Sequence, residues 1–541
     1  MLLFYFYLIS FSILGYGLLT ASVLRINLYN FACLGFLGIF FITTLSYFSS
    51  IFIPHSYIFN SMVIILGIFI FIILFKKIPN IKKEFINYFI IFSPLALFIL
   101  VSKNHDDFPY YHFPYIALLT EHSHPIGLGQ LNNGFRNPSS IFFLSSIFYL
   151  PKINFYLFHI APAFFLGFAN LFLLKNIFDK NIFKKIKFIN LISLFFFVFI
   201  NIFFYRLSEH GTDRSGLILA ICSIILLFYI INNDLISENI ENNIKFLSIL
   251  LCLLISLKPF YLIYSLFFFV LFFNENAKKI VLKLFFSNTF IFCFFFIFLS
   301  FFYNFINSGC VIFPAKSTCF FNLKWSIPAT EIENVRVWYE LWSKGGATPN
   351  NVVDNKIDYI SGFNWFKNWV NIYFFNKVSD FLLGLSTIIV VFFITFYSSK
   401  TPPNSKKNNF KYLTVYILII LCLVEWFMFH PALRYGGYHL FALVTFIPLS
   451  IYFSNHNFTN KFFNQKALIL IIITIMIFCG RNISRLNKEY NLYSYNPLYD
   501  TKFQFNEELF LRYSKQINKE IDKYERIKFL GKSFIITKLE R

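Results

Sequence analysis

The chain has 541 residues, of which 57% are hydrophobic and 13% are charged, and its mean hydropathy is +0.63. A soluble domain carries about 25% charged residues, so this composition excludes a soluble fold. The formal net charge of +21 would suggest nucleic acid in a soluble protein. Here much of the excess lysine lies in short clusters between apolar runs, as cytoplasmic loops require. The lipid bilayer is therefore the expected environment, and we expect no nucleic acid partner.

Apolar runs recur along most of the chain, and each is long enough to cross a bilayer as a helix, whereas barrel strands would alternate. The first run, residues 1–24, lacks a basic flank and is expected to stay as an anchor. Residues 141–150 are too short to span and predict a half-helix, and Lys258-Pro259 breaks 245–273 into a predicted hairpin. The sequence therefore predicts an all-α polytopic transmembrane bundle of roughly 12 to 14 membrane segments.

Lysine clusters between the apolar runs mark the predicted cytoplasmic loops. Counting crossings from these clusters places four segments outside: 103–140, 206–215, 307–377 and 430–437. If residues 245–273 crossed the membrane only once, every later segment would lie on the opposite side of the membrane. We therefore expect a transmembrane domain over 1–480 and a basic C-terminal tail over 481–541, which the count leaves outside although its charge argues against that side.

Cys310 and Cys319 lie together in a predicted outer loop, whereas the other six cysteines lie in apolar runs. An oxidising compartment would allow the pair to bridge. Sequence carries no geometry, so a disulfide and two free thiols both remain open.

Two adjacent carboxylates, Asp106 and Asp107, stand at the outer end of the fourth long apolar run. An acid partly desolvated at a membrane boundary can have its pKa raised into the working range of a general base. The alternative is a solvated helix end beside an aromatic belt. With His112, the two acids are also candidate ligands for a divalent metal, although no tight ligand spacing is present and histidines that only hydrogen-bond are the alternative.

The second predicted outer segment contains Glu209 and Asp213 between two arginines. These acids are candidates to orient an acceptor or a metal. An interfacial cluster of ion pairs explains the same residues equally well.

Arg434 stands in a tight turn between two apolar runs, with Tyr435 beside it. The planar guanidinium suits a pair of phosphate oxygens, while snorkelling to lipid headgroups and a structural pair with Glu425 are the alternatives. Lys258, at the proline break, is the second candidate for phosphate binding. A helix kink with no ligand is the alternative there.

The segment 307–377 contains five of the six tryptophans. They predict either anchors of surface helices or stacking faces for a sugar. Glu331, Glu333 and Arg336 indicate a short amphipathic helix beside Trp338.

Several motifs share one order along the chain: D-x-x-x-Y-H-x-P at Asp107–Pro114, G-L-G-x-L at Gly127–Leu131, S-G-C-V-I-F-P at Ser308–Pro314, L-K-W-S-I-P at Leu323–Pro328 and H-P-A-L-R-Y-G-G at His430–Gly437. Together they resemble an uncharacterised family of bacterial multipass membrane proteins. That family is similar to the GT-C superfamily of membrane glycosyltransferases.

GT-C enzymes use a lipid-linked sugar donor and carry an essential acid in the first large outer loop, so the resemblance implies Asp107 or Asp106 as the catalytic base. Several helices precede that loop here, whereas the common GT-C pattern has one. The arginine after G-L-G-x-L falls at Arg136, about two places later than the family pattern. Arg136 is nevertheless a candidate substrate-binding residue, together with His112, Glu209, Asp213, Lys258, Arg434 and Tyr435.

The expected function is transfer of a sugar from a polyprenyl-phosphate-linked donor to a glycan or lipid acceptor of the cell envelope. The resemblance places this reaction at the outer face of the bacterial inner membrane. A polysaccharide polymerase or ligase would rely on arginine and histidine more than on an aspartate. A transporter or flippase would show a midplane site and inverted repeats, and only the break at Lys258-Pro259 points that way.

Overall fold

The computed structural model describes residues 1–100, 107–185, 187–232, 237–348, 351–397, 410–456, 458–493, 524–529 and 532–537. Within these residues the regular structure is almost entirely helical, and the strands form two short antiparallel hairpins. Twelve helices of the described part are long and apolar enough to cross a membrane. The predicted all-α polytopic bundle is confirmed.

The described α-helices, numbered α1 to α22 in chain order, are Leu2–Val23, Phe31–Ser50, Tyr57–Leu74, Ile81–Leu95, Phe113–Glu121, Ser140–Ser146, Ala161–Phe178, Lys180–Lys185, Lys187–Phe203, Leu207–His210, Thr212–Ile231, Ser237–Leu257, Leu266–Phe269, Glu275–Leu284, Asn288–Ser308, Ala329–Ser343, Lys356–Ile360, Phe366–Trp369, Ser379–Phe396, Phe410–Phe429, Gly437–Ser454 and Asn460–Tyr493. The strands β1 to β4 are Ala347–Thr348, Asn351–Val352, Tyr524–Phe529 and Lys532–Thr537. The candidate spans are built on α1, α2, α3, α4, α7, α11, α12, α15, α19, α20, α21 and α22. Two shorter apolar segments, Lys187–Phe203 and Pro259–Phe273, accompany them.

Glycines allow α1 to pack between α2 and α3 at backbone contact. A Cβ atom on Gly15 would lie 1.8 Å from the carbonyl oxygen of Gly67 in α3, and one on Gly17 would lie 1.9 Å from the carbonyl oxygen of Leu34 in α2. Small residues at helix interfaces permit this approach in membranes, where packing rather than the hydrophobic effect drives association. The first three spans are thereby fixed as a unit.

The break at Lys258-Pro259 divides residues 245–273, as the sequence predicts. Helix α12 ends at Leu257, and Lys258 is extended with φ −156° and ψ 132°, the conformation that a following proline favours. The chain then continues through the helical turns of Pro259–Phe273, and α14 packs back against α12. Lys258 therefore lies at the tip of a broken hairpin.

The connecting segments sort onto two ends of the bundle. At one end, the Phe31 amide donates to Glu84 at 2.9 Å and the Tyr412 hydroxyl donates to Asn232 at 2.7 Å, which joins segments that the lysine clusters predict as cytoplasmic. At the other end, the Gly127 amide donates to the Ile306 carbonyl at 2.7 Å. We call this second end the outer end, because the lysine clusters predict that its segments lie outside.

Two helices cross boundaries that the sequence predicts. The span beginning at Phe366 includes the last residues of the predicted outer segment 307–377, because a π-helical stretch, Val370–Val378, joins α18 to α19 despite its two asparagines and its lysine. Helix α22 continues to Tyr493, past the expected boundary at residue 480. There Arg481 donates to the Ile202 carbonyl at 2.7 Å, so the first part of the predicted tail packs on the bundle.

A disulfide joins Cys310 and Cys319 after α15. Together with Phe313, Ile327 and Ile332, Cys310 forms a small apolar cluster separate from the main core. Helix α16 contributes to this cluster, so the disulfide and α16 form one compact outer element. We call residues 309–343 the outer cap.

Candidate functional site

Four charged side chains from four separate parts of the chain meet at the outer end of the bundle. The Lys258 ammonium forms an ion pair with Asp213. The Arg434 guanidinium lies 3.9 Å from a carboxylate oxygen of Asp213, through Nε, and 3.9 Å from one of Asp107, through Nη1. Within the described residues, Arg434 therefore pairs with these two acids and not with Glu425. We call these four residues the charged cluster.

Each acid stands beside the start of a helical element. Asp107 directly precedes the π-helical turn Phe108–His112. Asp213 lies in the first turn of α11, where the positive end of the helix dipole favours a carboxylate. Gly211, with φ +46°, lets the chain turn sharply into this helix.

Breaks in helical structure bring the two cations to the acids. Lys258 occupies the extended position between α12 and Pro259–Phe273. Arg434 lies in the 3₁₀ turn Leu433–Tyr435 between α20 and α21. The Trp369 indole donates to the Pro431 carbonyl at 3.1 Å, which anchors this turn to the helix preceding α19.

Aromatic rings surround the cations of the charged cluster. The Arg434 guanidinium carbon lies 4.3 Å from the ring centroid of Trp342 and 4.9 Å from that of Tyr435. The Lys258 ammonium lies 5.5 Å from the Tyr435 ring, and Arg434 Nη2 donates to the Tyr435 hydroxyl at 3.0 Å. These distances fall within the range of cation–π attraction, so the rings stabilise both positive charges.

Two further tyrosines lie close enough to sense these charges. Burial raises the pKa of Tyr111, and the carboxylates of Asp107 and Asp213 raise it further. Burial also raises the pKa of Tyr339 to about 12, with a further contribution from Tyr435. Both side chains therefore stay neutral phenols at physiological pH.

The cluster leaves hydrogen-bonding capacity at Arg434. A charged N–H···O hydrogen bond spans about 2.7 to 2.9 Å, so separations of 3.9 Å to Asp107 and Asp213 are ion pairs without direct hydrogen bonds. Nε of Arg434 is buried and has no hydrogen-bond partner among the described residues. Burial lowers the pKa of Arg434, but the neighbouring Tyr435, Asp213 and Asp107 raise it overall, so the group stays cationic and can receive an anionic oxygen.

Arg136 has a different environment. Its Nη2 donates to Glu331 of the outer cap at 2.5 Å, and its Nε donates to the Gly129 carbonyl at 3.0 Å. The guanidinium also lies 5.7 Å from the ring centroid of Phe313. The structure thus places Arg136 in a clasp between the first outer segment and the cap.

The remaining predicted site residues are described in part. His112 is buried, with its ring 4.9 Å from that of Phe142. Asp106 and the side chain of Glu209 lie outside the described residues. Across the part of the chain that the structure describes, no group of three His, Cys, Asp or Glu residues can hold a metal ion, so Asp107 and His112 form no metal site without residues beyond it.

A family model described as a domain of unknown function, DUF8201, matches residues 1–442. The chain belongs to the DUF8201 family. All four residues of the charged cluster lie within the matched region, which ends inside α21. No curated protein and no solved structure matches the chain. The DUF8201 region therefore contains the cluster and the cap, whereas α22 and the β3–β4 hairpin lie beyond it.

The sequence predicted Tyr435 as a site residue but did not single out Trp342, Tyr339 or Tyr111. Trp342 and Tyr339 lie three positions apart on α16 and so share one helix face. That spacing is visible in the sequence, but it does not distinguish Trp342 from Trp338 as the ring that meets Arg434. Tyr111 was visible only as part of the D-x-x-x-Y-H-x-P motif.

Proposed function

We propose that this protein is a GT-C-type glycosyltransferase. It transfers a sugar from a polyprenyl-phosphate-linked donor to a cell-envelope acceptor at the outer face of the bacterial inner membrane. The observation that carries the proposal is the charged cluster, in which Asp107 lies beside Arg434 and Asp213 holds Arg434 together with Lys258. A general base and a phosphate-binding pair are the two groups that this reaction needs.

In this reaction Asp107 accepts the proton of the acceptor hydroxyl as that oxygen attacks the anomeric carbon. The bond from the anomeric carbon to the phosphate oxygen breaks at the same time, and the electron pair leaves with the lipid phosphate. Arg434 and Lys258 stabilise the negative charge that develops on this phosphate. One displacement inverts the anomeric configuration.

Asp213 keeps the two cations in place before the donor binds. It lies between Lys258 and Arg434 and contacts both, so it balances their charges and limits their conformations. The donor phosphate would then take over part of this role at the guanidinium of Arg434.

Lipids that copurify with the protein test the proposal whatever the sugar is. Asp107→Asn retains the shape of the site but lacks the base, so it should accumulate a polyprenyl-phosphate sugar that mass spectrometry detects after extraction. Arg434→Ala should lose this lipid, and the wild type should hold mainly the released polyprenyl phosphate. Absence of prenyl phosphates from all three proteins would overturn the proposal.

Cysteine labelling from outside the cell tests the proposed side. His122 and Asp358 are exposed at the outer end, whereas Lys82 and Lys278 are exposed at the other end. Cysteines at the first pair should react with a membrane-impermeant maleimide, and cysteines at the second pair should react only after permeabilisation. The reverse pattern would place the site in the cytoplasm and contradict the proposed acceptor.

A further inference from the structure

The guanidinium of Arg434 lies over two aromatic rings from different parts of the chain. Tyr435 is its neighbour in sequence, but Trp342 belongs to α16 of the outer cap. All five N–H groups of a guanidinium point outward in its plane. A ring stacked on its face therefore restricts the side chain without using any donor.

The end of α16 is fixed where it presents Trp342. The Ser343 hydroxyl lies 3.4 Å from the Phe429 carbonyl at the outer end of α20. Glu340 and Lys344 form a buried ion pair at 2.6 Å, and Lys344 also donates to the Ile360 carbonyl at 3.0 Å. These contacts hold Trp342 against the turn that contains Arg434.

We propose that Trp342 is a positioning residue for Arg434: it orients the guanidinium edge toward the space where the lipid phosphate binds. The inference rests on the proposed function for the identity of the ligand. An arginine side chain loses considerable rotamer freedom when it is fixed, so a pre-oriented guanidinium binds phosphate with a smaller entropic cost. The cap is thereby a functional part of the site.

The same helix provides a matched control. Trp338 lies one turn before Trp342 and has 46% of its surface exposed. Its ring contact is with Tyr339, whereas the guanidinium of Arg434 lies over the rings of Trp342 and Tyr435. Trp338→Leu therefore removes a tryptophan from α16 without changing the contact between Trp342 and Arg434.

The first measurement follows Arg434 itself in the full-length protein in lipid nanodiscs. Phenylglyoxal modifies accessible arginines, and peptide mass spectrometry gives the rate at Arg434. Trp342→Leu should raise this rate, whereas Trp338→Leu and Trp342→Phe should leave it near the wild-type value. Equal rates in Trp342→Leu and wild type would overturn the inference, whatever the ligand of the site.

The second measurement is the affinity of the same proteins for undecaprenyl phosphate. Trp342→Leu should weaken binding about 10-fold, as expected for loss of a partly desolvated cation–π contact, and Trp342→Phe should recover most of it. In an Arg434→Ala background, Trp342→Leu should change affinity by less than about 2-fold, since residues that act through each other are not additive. Full additivity would show that Trp342 acts independently of Arg434 and would overturn the inference.

The two measurements separate the possible failures. If the wild type does not bind undecaprenyl phosphate, the proposed function fails, and the labelling rates alone decide whether Trp342 orients Arg434. If the wild type binds but Trp342→Leu binds equally well, the positioning role fails and the proposed function stands.

Discussion

Two arginines at the outer end of the bundle meet carboxylates in different ways. Arg136 donates to Glu331 at 2.5 Å and to a backbone carbonyl at 3.0 Å. Arg434 lies 3.9 Å from both of its acids, and its Nε has no hydrogen-bond partner among the described residues. Each arginine has one buried guanidinium nitrogen without a hydrogen-bond partner among the described residues, Nη1 of Arg136 and Nε of Arg434. The difference is that Arg136 donates directly to its carboxylate, whereas Arg434 donates to the Tyr435 hydroxyl and to neither of its acids. Direct hydrogen bonding to a carboxylate thus separates the two arginines more clearly than charge or burial.

The largest effect is expected from Asp107→Asn. Asparagine keeps the shape and most hydrogen bonds of aspartate but cannot accept the proton, so transfer should fall by roughly 10² to 10⁴ fold. Membrane abundance should stay at the wild-type level. Release of polyprenyl phosphate from lipid-linked sugars, extracted from the expressing cells, measures the rate.

Asp106→Asn is the control for that prediction. Near-normal turnover in Asp107→Asn with loss in Asp106→Asn would exchange the roles of the two acids. Normal turnover in both variants would contradict the proposed mechanism.

Arg434→Lys keeps the positive charge at this position but removes the planar guanidinium. Loss of directed, charge-assisted hydrogen bonds to the phosphate should reduce turnover by roughly 10 to 10² fold. The midpoint of thermal unfolding in detergent should change little, because the native pairs of Arg434 are long. A large loss of thermal stability with normal turnover in the surviving protein would give Arg434 the structural role assigned here to Arg136.

The double substitution Cys310→Ser with Cys319→Ser tests the outer cap. Closing so short a loop stabilises a fold by roughly 2 to 3 kcal/mol in the chain-entropy model. The variant should expose the cap to proteolysis at lower temperature than the wild type, while the membrane spans remain resistant. Unchanged protease resistance of residues 309–343 would show that the disulfide contributes little to the cap.

The smallest of these effects is expected from Glu331→Gln, which changes the directly hydrogen-bonded pair of Arg136 and Glu331. Glu331 is half exposed, so solvent screens its interaction with Arg136 and the loss should be about 1 kcal/mol. Turnover per folded molecule should stay normal. A loss of turnover comparable to that of Asp107→Asn, at normal abundance, would place the Arg136 clasp in the reaction and abolish the contrast between the two arginines.

The bundle could be predicted from sequence because length and apolarity decide whether a helix spans a membrane. Loop charges also grouped Asp107, Asp213 and Arg434 on one predicted side, and the proline break placed Lys258 at a helix end. The expected boundary at residue 480 falls inside α22, because that helix continues through polar residues such as Arg481, which bond to neighbouring helices. Apolarity shows where a helix leaves the membrane, not where it ends.

Pairing between outer segments depends on tertiary geometry and could not be predicted. The motif position favoured Arg136 as a ligand-binding residue, but its partner Glu331 is almost two hundred positions away. The contact between Trp342 and Arg434 likewise depends on how α16 docks at the outer end of α20. The sequence offered five tryptophans as membrane anchors or sugar-stacking faces, and it indicated none of them as the partner of Arg434.

The most direct test of the central claim is a cryo-electron microscopy map of Asp107→Asn purified with its native lipids. Phosphate density is expected in hydrogen-bonding contact with Arg434 and Lys258. A sugar should lie on the side of residue 107, with a lipid chain leading into the bilayer. A well-resolved map in which Arg434 contacts only Asp213 and residue 107, with a prenyl lipid bound elsewhere or nowhere, would contradict it.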